Sequence, residues 1–486
     1  MSKAEKRQFK LFTKKQSGNK DYLDLFELID QHRITDKTTL EGKFKKLFPN
    51  TSLDNTARYL LKVLLDCLIQ SRVNEQDIYK LLYGLLRVNI LNERNLSAEA
   101  YKELNRLQEL SADTQNTLIK YIIYREKLDY LASNNFIGYS EKEVVGLQMK
   151  GRDTLKNIRN THEHYSLYEL LKFRLIHSGK ALSDKDKKQL NDLLLSEMSI
   201  VNSHIRGDIE SRKLHLLFQS FFFTDIGDYK SALKTFHELN RLFEKNIKLW
   251  KDPPLDYFSA VDGILDSLRT NGYFEEMDFY IQKLNSLDKP AYPEYFCFWV
   301  KKTIQIYRLA VLSGTNKFTE AVRFMLKSEP ALWKAYSIVD EEKQHELFFY
   351  TGLTWYHIKE YKKAQKALAE IISKGKVNYF SAVYKAARLL NMIISYECKD
   401  LEYLDYEIRS YKRSLTGKYK PLATEKLIFK VIKMNPDFNN IRRNEIYWHQ
   451  IDPLIEIIEK DKYEMQIRKY FDFVKWVEKK FKKDAG

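Results

Sequence analysis

Five small or apolar residues, Ala232, Met277, Ala321, Ala364 and Leu404, stand 45, 44, 43 and 40 positions apart, each just inside a stretch with helical periodicity. No other feature constrains the fold as much. A fixed step of this size is the mark of an array in which each unit buries its apolar face against the next. Stepping back by the same amount reaches Gln189, Val145 and Ala100, inside KDKKQLNDLLL, SEKEVVGLQM and LSAEAYKELNRL. The period therefore predicts about eight helical hairpins of roughly 40 to 45 residues. The breakers agree: Asp252-Pro253-Pro254 opens one unit, Pro290 and Pro293 precede another, Pro330 closes a third, and Gly227 and Gly272 fall in tight turns.

The stretch Phe348–Ile372 shows what one hairpin looks like. Phe348, Thr351, Gly352 and Trp355 share one face of a first helix, and Ala364 and Leu368 share one face of a second. Gly352 and Ala364 are small enough for the two backbones to approach, with Phe348, Trp355 and Tyr361 filling the flanks. This pattern resembles the tetratricopeptide repeat, without its closing proline; Gly375 is the expected helix stop. Units longer than the ~34 residues of that repeat imply longer helices. The resemblance implies an all-α, right-handed α-solenoid of tetratricopeptide-like (TPR-like) hairpins with helical caps. Long-helix arrays of this kind resemble bacterial regulators that bind peptides or partner proteins. The opening residues also resemble, weakly, TPR-like proteins of Bacteroidota, a likeness that implies no activity.

Composition fits an array of helices. Gly and Pro are scarce at 16 and 9 of 486 residues, which disfavours a turn-rich sandwich or barrel. No run reaches the ~18 to 20 apolar residues needed to span a bilayer, and the basic start lacks the pattern of a secretory leader, so the expected location is cytoplasmic. Cys67, Cys297 and Cys398 are far apart and odd in number, which suits reduced, mostly buried thiols. The net charge of +16 is concentrated at the ends, with +6 in residues 1–72 and +8 in 409–486. Three segments follow: a basic helical block at 1–72, with helices near 3–15, 20–32, 38–48 and 54–71, as a cap or small helical domain; the solenoid at 73–414; and a basic C-terminal cap at 415–486. The first block also admits a helix-turn-helix pair over 38–71. The last is expected to hold two long helices, 439–460 and 462–483.

Motifs that would specify a reaction are not found. His162-Glu163-His164 is the nearest approach to a metal site, but two histidines two apart diverge on a helix, so these are read as solvated loop residues. Asp340, Glu341 and Glu342 read as an acidic first helical turn. No cofactor, metal or enzymatic activity is assigned.

In a TPR array the inner surface is lined by first helices. Carried onto this chain, that geometry points to Phe221, Thr224, Asp262, Asp266, Arg269, Phe349, Tyr356, Ile393 and Tyr396 as a mixed aromatic and charged groove for a protein or peptide segment. The function expected is a non-catalytic interaction scaffold or regulator. The alternative is a nucleic-acid-associated factor. Lys412, Arg413, Lys418, Lys420, Lys426, Lys430 and Lys433, opposed only by Glu425 and interleaved with Tyr411, Tyr419 and Phe429, could form a phosphate-binding patch.

Overall fold

Among the described residues, one turn geometry recurs at Asn95, Gly227, Gly272, Asn316, Lys359 and Lys399. The computed structural model describes residues 3–14, 21–32, 37–73, 77–112, 114, 116–178, 187–188, 190–203, 209–247, 250, 253–336, 340–373, 381–414, 421–436 and 441–481. Among them the chain is all-α, with 23 α-helices and no strand, and no helix is long and apolar enough to cross a membrane. It divides into two units, 1–158 and 159–486.

In the first unit, α1 (Lys3–Lys14), α2 (Asp21–His32), α3 (Lys37–Leu47) and α4 (Leu53–Arg72) follow the expected boundaries closely. Phe9, Tyr22, Leu25, Phe44, Leu60 and Val63 form their shared core. A second, separate core joins α5 (Asp77–Glu93), α6 (Ser97–Ser111) and α7 (Thr117–Ser133) through Leu81, Val88, Leu104, Leu107 and Ile119. The boundary between units falls inside α8 (Glu141–Ser178), a single helix of 38 residues. Here the expected repeat fails. Val145 lies on α8 and is 44% exposed, not a contact between paired helices, and Gln189 lies outside the described residues. His162 and His164 also lie on α8 and not in a loop, His164 being buried.

The second unit contains α9 (Asn191–Ser203) and then five successive hairpins, α10 (Ile209–Asp225) with α11 (Tyr229–Lys245), α12 (Leu255–Asn271) with α13 (Phe274–Asn285), α14 (Glu294–Gly314) with α15 (Phe318–Leu326), α16 (Glu341–His357) with α17 (Tyr361–Ile372), and α18 (Ala382–Glu397) with α19 (Leu401–Ser414). Each first helix packs on its own second helix and on the next first helix, and each second helix on the next first. Ala232, Met277, Ala321 and Ala364 are completely buried and Leu404 nearly so. Five residues before each of them stands a left-handed residue, Gly227, Gly272, Asn316, Lys359 and Lys399. The next residue's N–H reaches back to a carbonyl five positions earlier (Asp228 to Phe223, Tyr273 to Leu268, Lys317 to Leu312, Glu360 to Trp355, Asp400 to Ser395), which closes the first helix as a Schellman turn and starts the second. Asn95 and Ala100 repeat this relation between α5 and α6, with Leu96 bonded to Leu91. Ser140, five before Val145, has no such turn.

Close packing inside a hairpin is as expected. A Cβ on Gly352 would lie 2.9 Å from Leu368 Cγ and 3.3 Å from the Ala364 carbonyl oxygen. Gly375 lies outside the described residues, α17 ending at Ile372.

After the hairpins come α20 (Ala423–Met434), α21 (Ile441–Lys460), the short α22 (Met465–Arg468) preceded by a 3-10 turn at Lys462–Glu464, and α23 (Phe473–Phe481). The long final helix expected over 462–483 is thus broken in two. The cause is local: Glu464 accepts the N–H groups of Ala423 and Thr424 (2.6 and 3.1 Å) and the Thr424 hydroxyl, capping α20, and the chain then bends so that Lys469 and Tyr470 enter the protein. Leu427, Ile428, Ile451, Tyr470, Phe473 and Val477 share one apolar core with α14–α19. Of the three thiols only Cys67 is buried; Cys297 is partly covered and Cys398 exposed, because Cys398 sits at the end of α18.

Candidate functional site

On α12, Asp262, Asp266 and Arg269 fall at helical spacing along one face. Tyr307 from α14 and Lys343, Glu346 and Tyr350 from α16 meet them. Arg269 is the centre. Its Nη2 donates to Asp266 and to Glu346 Oε1 (2.7 Å), and its Nη1 to the Tyr350 hydroxyl at 3.2 Å. Its guanidinium also lies 5.2 Å from the ring centroids of Tyr307 and Tyr470, within cation–π range. Lys343 donates to Asp262 Oδ1 at 2.6 Å, and Tyr307 donates to the same oxygen at 2.8 Å.

The face is filled by the chain itself. Gln466 Nε2 donates to the Asp225 carbonyl, at the end of α10. Lys469 bonds both oxygens of Asp266 at 2.9 and 3.1 Å, and Tyr470 donates to Glu346 at 2.9 Å. The Tyr470 ring packs against Phe349 at 5.3 Å, and Phe471 against Tyr356 at 5.8 Å. Trp476 Nε1 donates to Glu397 at the end of α18, with its ring against Tyr396, and Lys480 pairs with Glu397. One segment of about twenty residues therefore engages α10, α12, α16 and α18.

Charge in the cluster is balanced. Arg269, Lys343 and Lys469 face Asp262, Asp266 and Glu346. Burial alone would raise the Glu346 pKa, but Arg269, Lys343 and Lys469 outweigh it and hold the carboxyl at about 2. Burial likewise opposes the charges of Arg269 and Lys343, yet the neighbouring carboxylates keep both pKa values above the ordinary range. Burial, with Glu346 beside it, pushes the Tyr470 phenol well up. At neutral pH the phenols donate and the carboxylates accept. Each of these six charged side chains has an oppositely charged partner within the cluster, while Arg269 Nε is buried without a hydrogen-bond partner.

The expected groove residues thus divide. Asp266, Arg269, Phe349, Tyr356 and Tyr396 touch the C-terminal segment, and Asp262 supports it through Lys343. Ile393 is completely buried. Phe221 packs between Tyr168 and Phe236, and the Thr224 hydroxyl is bonded to the Ser220 carbonyl. Sequence reasoning missed Lys343, Glu346, Tyr350, Lys469 and Tyr470. The helical spacing Lys343-Glu346-Tyr350 was a signal.

The basic stretch has a different character from that expected. Lys412, Arg413, Lys426 and Lys433 are exposed, and Lys430 donates to the Gln450 carbonyl. Tyr411 and Phe429 are buried, and Glu425 is buried too, bonded to the Tyr411 hydroxyl and the Leu422 N–H. Glu425 and Phe429 lie on α20, which packs on α18, and Tyr411, on α19, packs against Phe429. Lys418, Tyr419 and Lys420 lie outside the described residues. Among the described residues no group of His, Cys, Asp or Glu is placed to hold a metal. Compared with protein-family models and with curated proteins, the chain matches none.

Proposed function

We propose that this protein is a non-catalytic, cytoplasmic scaffold: a right-handed solenoid of TPR-like hairpins whose first-helix face holds a peptide segment through aromatic anchors and paired charges. One observation carries the reading. That face already seats residues 462–481, with Lys469, Tyr470, Phe471 and Trp476 as its anchors. Engaging four first helices with alternating aromatic and charged contacts is the chemistry by which a helical repeat recognises an extended partner.

The test uses a labelled synthetic peptide of residues 461–481 and fluorescence anisotropy. The unsubstituted chain, occupied in cis at an effective concentration of the order of millimolar, is expected to bind it poorly. The Lys469→Glu/Tyr470→Ala chain, its own segment weakened, is expected to bind it at least ten-fold more tightly. A variant that keeps its helical circular dichroism and still ignores the peptide would refute the reading.

Phosphate binding by the basic stretch is the second reading, supported by the exposure of Lys412, Arg413, Lys426 and Lys433. Tyr411 and Phe429 are turned inward, so neither serves as the kind of stacking platform that single strands use. Tight oligonucleotide binding, lost between ~50 and 200 mM salt, would favour it.

A further inference from the structure

The helix α5 is apolar on two opposite sides. Leu81, Gly84 and Val88 form the buried side; a Cβ on Gly84 would fall 2.3 Å from Leu107 Cδ2, so α6 is pressed against it. On the other side Tyr79, Leu82, Tyr83, Leu86 and Ile90 make a stripe three turns long, each residue between 38% and 59% exposed. A helix that is hydrophobic all round belongs in an interior. The stripe holds no charge along its midline, and the nearest basic groups are engaged: Lys80 with Asp77, and Arg87 with Glu103.

We propose that this stripe is a homodimer interface, occupied by α5 of a second copy in antiparallel orientation. The stripe is its own complement. A two-fold axis between Gly84 and Leu85 sets Tyr79 against Ile90 of the second copy and Tyr83 against Leu86, the two pairings sharing one midpoint, as an isologous contact requires. Leu82 then meets the aliphatic stem of Arg87. The exposed parts of the five side chains amount to roughly 500 Å² per copy, or about 1,000 Å² in total, the lower end of what a specific interface buries. The dimer is correspondingly modest, with a dissociation constant of the order of 10 μM. This inference is independent of the function proposed for the first-helix face.

The test is sedimentation of the full chain from ~1 to 100 μM. The unsubstituted protein should pass from monomer to dimer. Tyr83→Lys with Leu86→Lys sets like charges across both symmetry-related pairings and should weaken the dimer at least 100-fold. Tyr83→Glu with Leu86→Lys sets opposite charges across the same pairings and should return it to within about ten-fold of the original. A chain that is monomeric at 100 μM, a Lys–Lys variant that dimerises normally, or a Glu–Lys variant as weak as the Lys–Lys one would each overturn the proposal. Should the Lys–Lys variant lose its helical signal, hydrogen exchange of the unsubstituted chain decides. Protection over 77–93 that rises with concentration supports the interface, and protection that does not change overturns it.

Discussion

The phenol of Tyr470 donates to Glu346 Oε1 at 2.9 Å across 124 positions of sequence, and that same oxygen accepts from Arg269 at 2.7 Å. The last part of the chain is therefore tied to two first helices at once. Tyr470→Phe keeps the ring against Phe349 but removes a hydrogen bond to a charged acceptor, an expected loss of about 1.5 to 3 kcal/mol. Tyr470→Ala also removes the ring and should cost about 3 to 5 kcal/mol. Urea unfolding midpoints at constant m-value measure both. Two variants indistinguishable from the parent would mean that the segment does not sit here.

Arg269 and Glu346 are both almost fully buried, so each depends on the other for solvation. Arg269→Met leaves Glu346 and Asp266 short of a cation, and Glu346→Gln leaves Arg269 short of a carboxylate; about 3 to 5 kcal/mol is expected for breaking such a pair from one side. The double variant should cost at least about 1 kcal/mol less than the two single losses combined. Strict additivity in that cycle would show the two side chains to be energetically separate.

How much of this was legible in the sequence depended on the range of the contact. Ala232, Ala321 and Ala364 could be found by their spacing because a hairpin contact is local and recurs with the period. Five positions earlier, Gly227 and Gly272 were legible as turn residues, but Asn316, Lys359 and Lys399 in the same left-handed conformation were not, because the backbone there is set by the turn more than by the side chain. Val145 was misplaced because an apolar residue at the right step looks the same on one long helix as on half a hairpin. The seat of Lys469 and Tyr470 was illegible for another reason. A Lys-Tyr pair within a basic amphipathic stretch reads as surface, and only the carboxylates of two distant helices make it interior.

Acid should loosen the structure in two stages. Burial, with Lys479 nearby, draws the His357 pKa down to about 4, while its ring stacks on Phe318 at a centroid distance of 3.9 Å. The native state thus takes up this proton less readily than the unfolded chain, and stability falls as pH drops from ~6.5 towards ~4, by up to about 3 kcal/mol. Glu346, lowered to about 2, contributes stability that is complete above its unfolded value and is lost as pH falls from ~4.5 through ~2. His357→Gln should flatten the first stage and leave the second in place. Urea midpoints taken from pH 7 to 3 resolve the two. An unchanged slope above pH 5 in His357→Gln would place the first stage on another group.

Gly227 and Gly272 offer a matched pair that isolates the seat of the C-terminal segment. Both close a first helix with nearly the same backbone, φ 75° and 77°, so an alanine at either should carry a similar left-handed strain of about 1 to 2 kcal/mol. Their surroundings differ. A Cβ at Gly272 meets nothing within 4 Å, whereas at Gly227 it would lie 2.8 Å from the backbone oxygen of Lys462, which a side-chain rotation cannot relieve. Gly227→Ala should therefore cost about 1 to 3 kcal/mol more than Gly272→Ala, the usual size of an overpacking penalty. The excess should appear as displacement of the segment, so brief trypsin treatment should cut after Arg468 or Lys469 faster in Gly227→Ala than in Gly272→Ala or the parent. Equal losses and equal cleavage would show that the approach of Lys462 to the first turn contributes nothing to holding the segment.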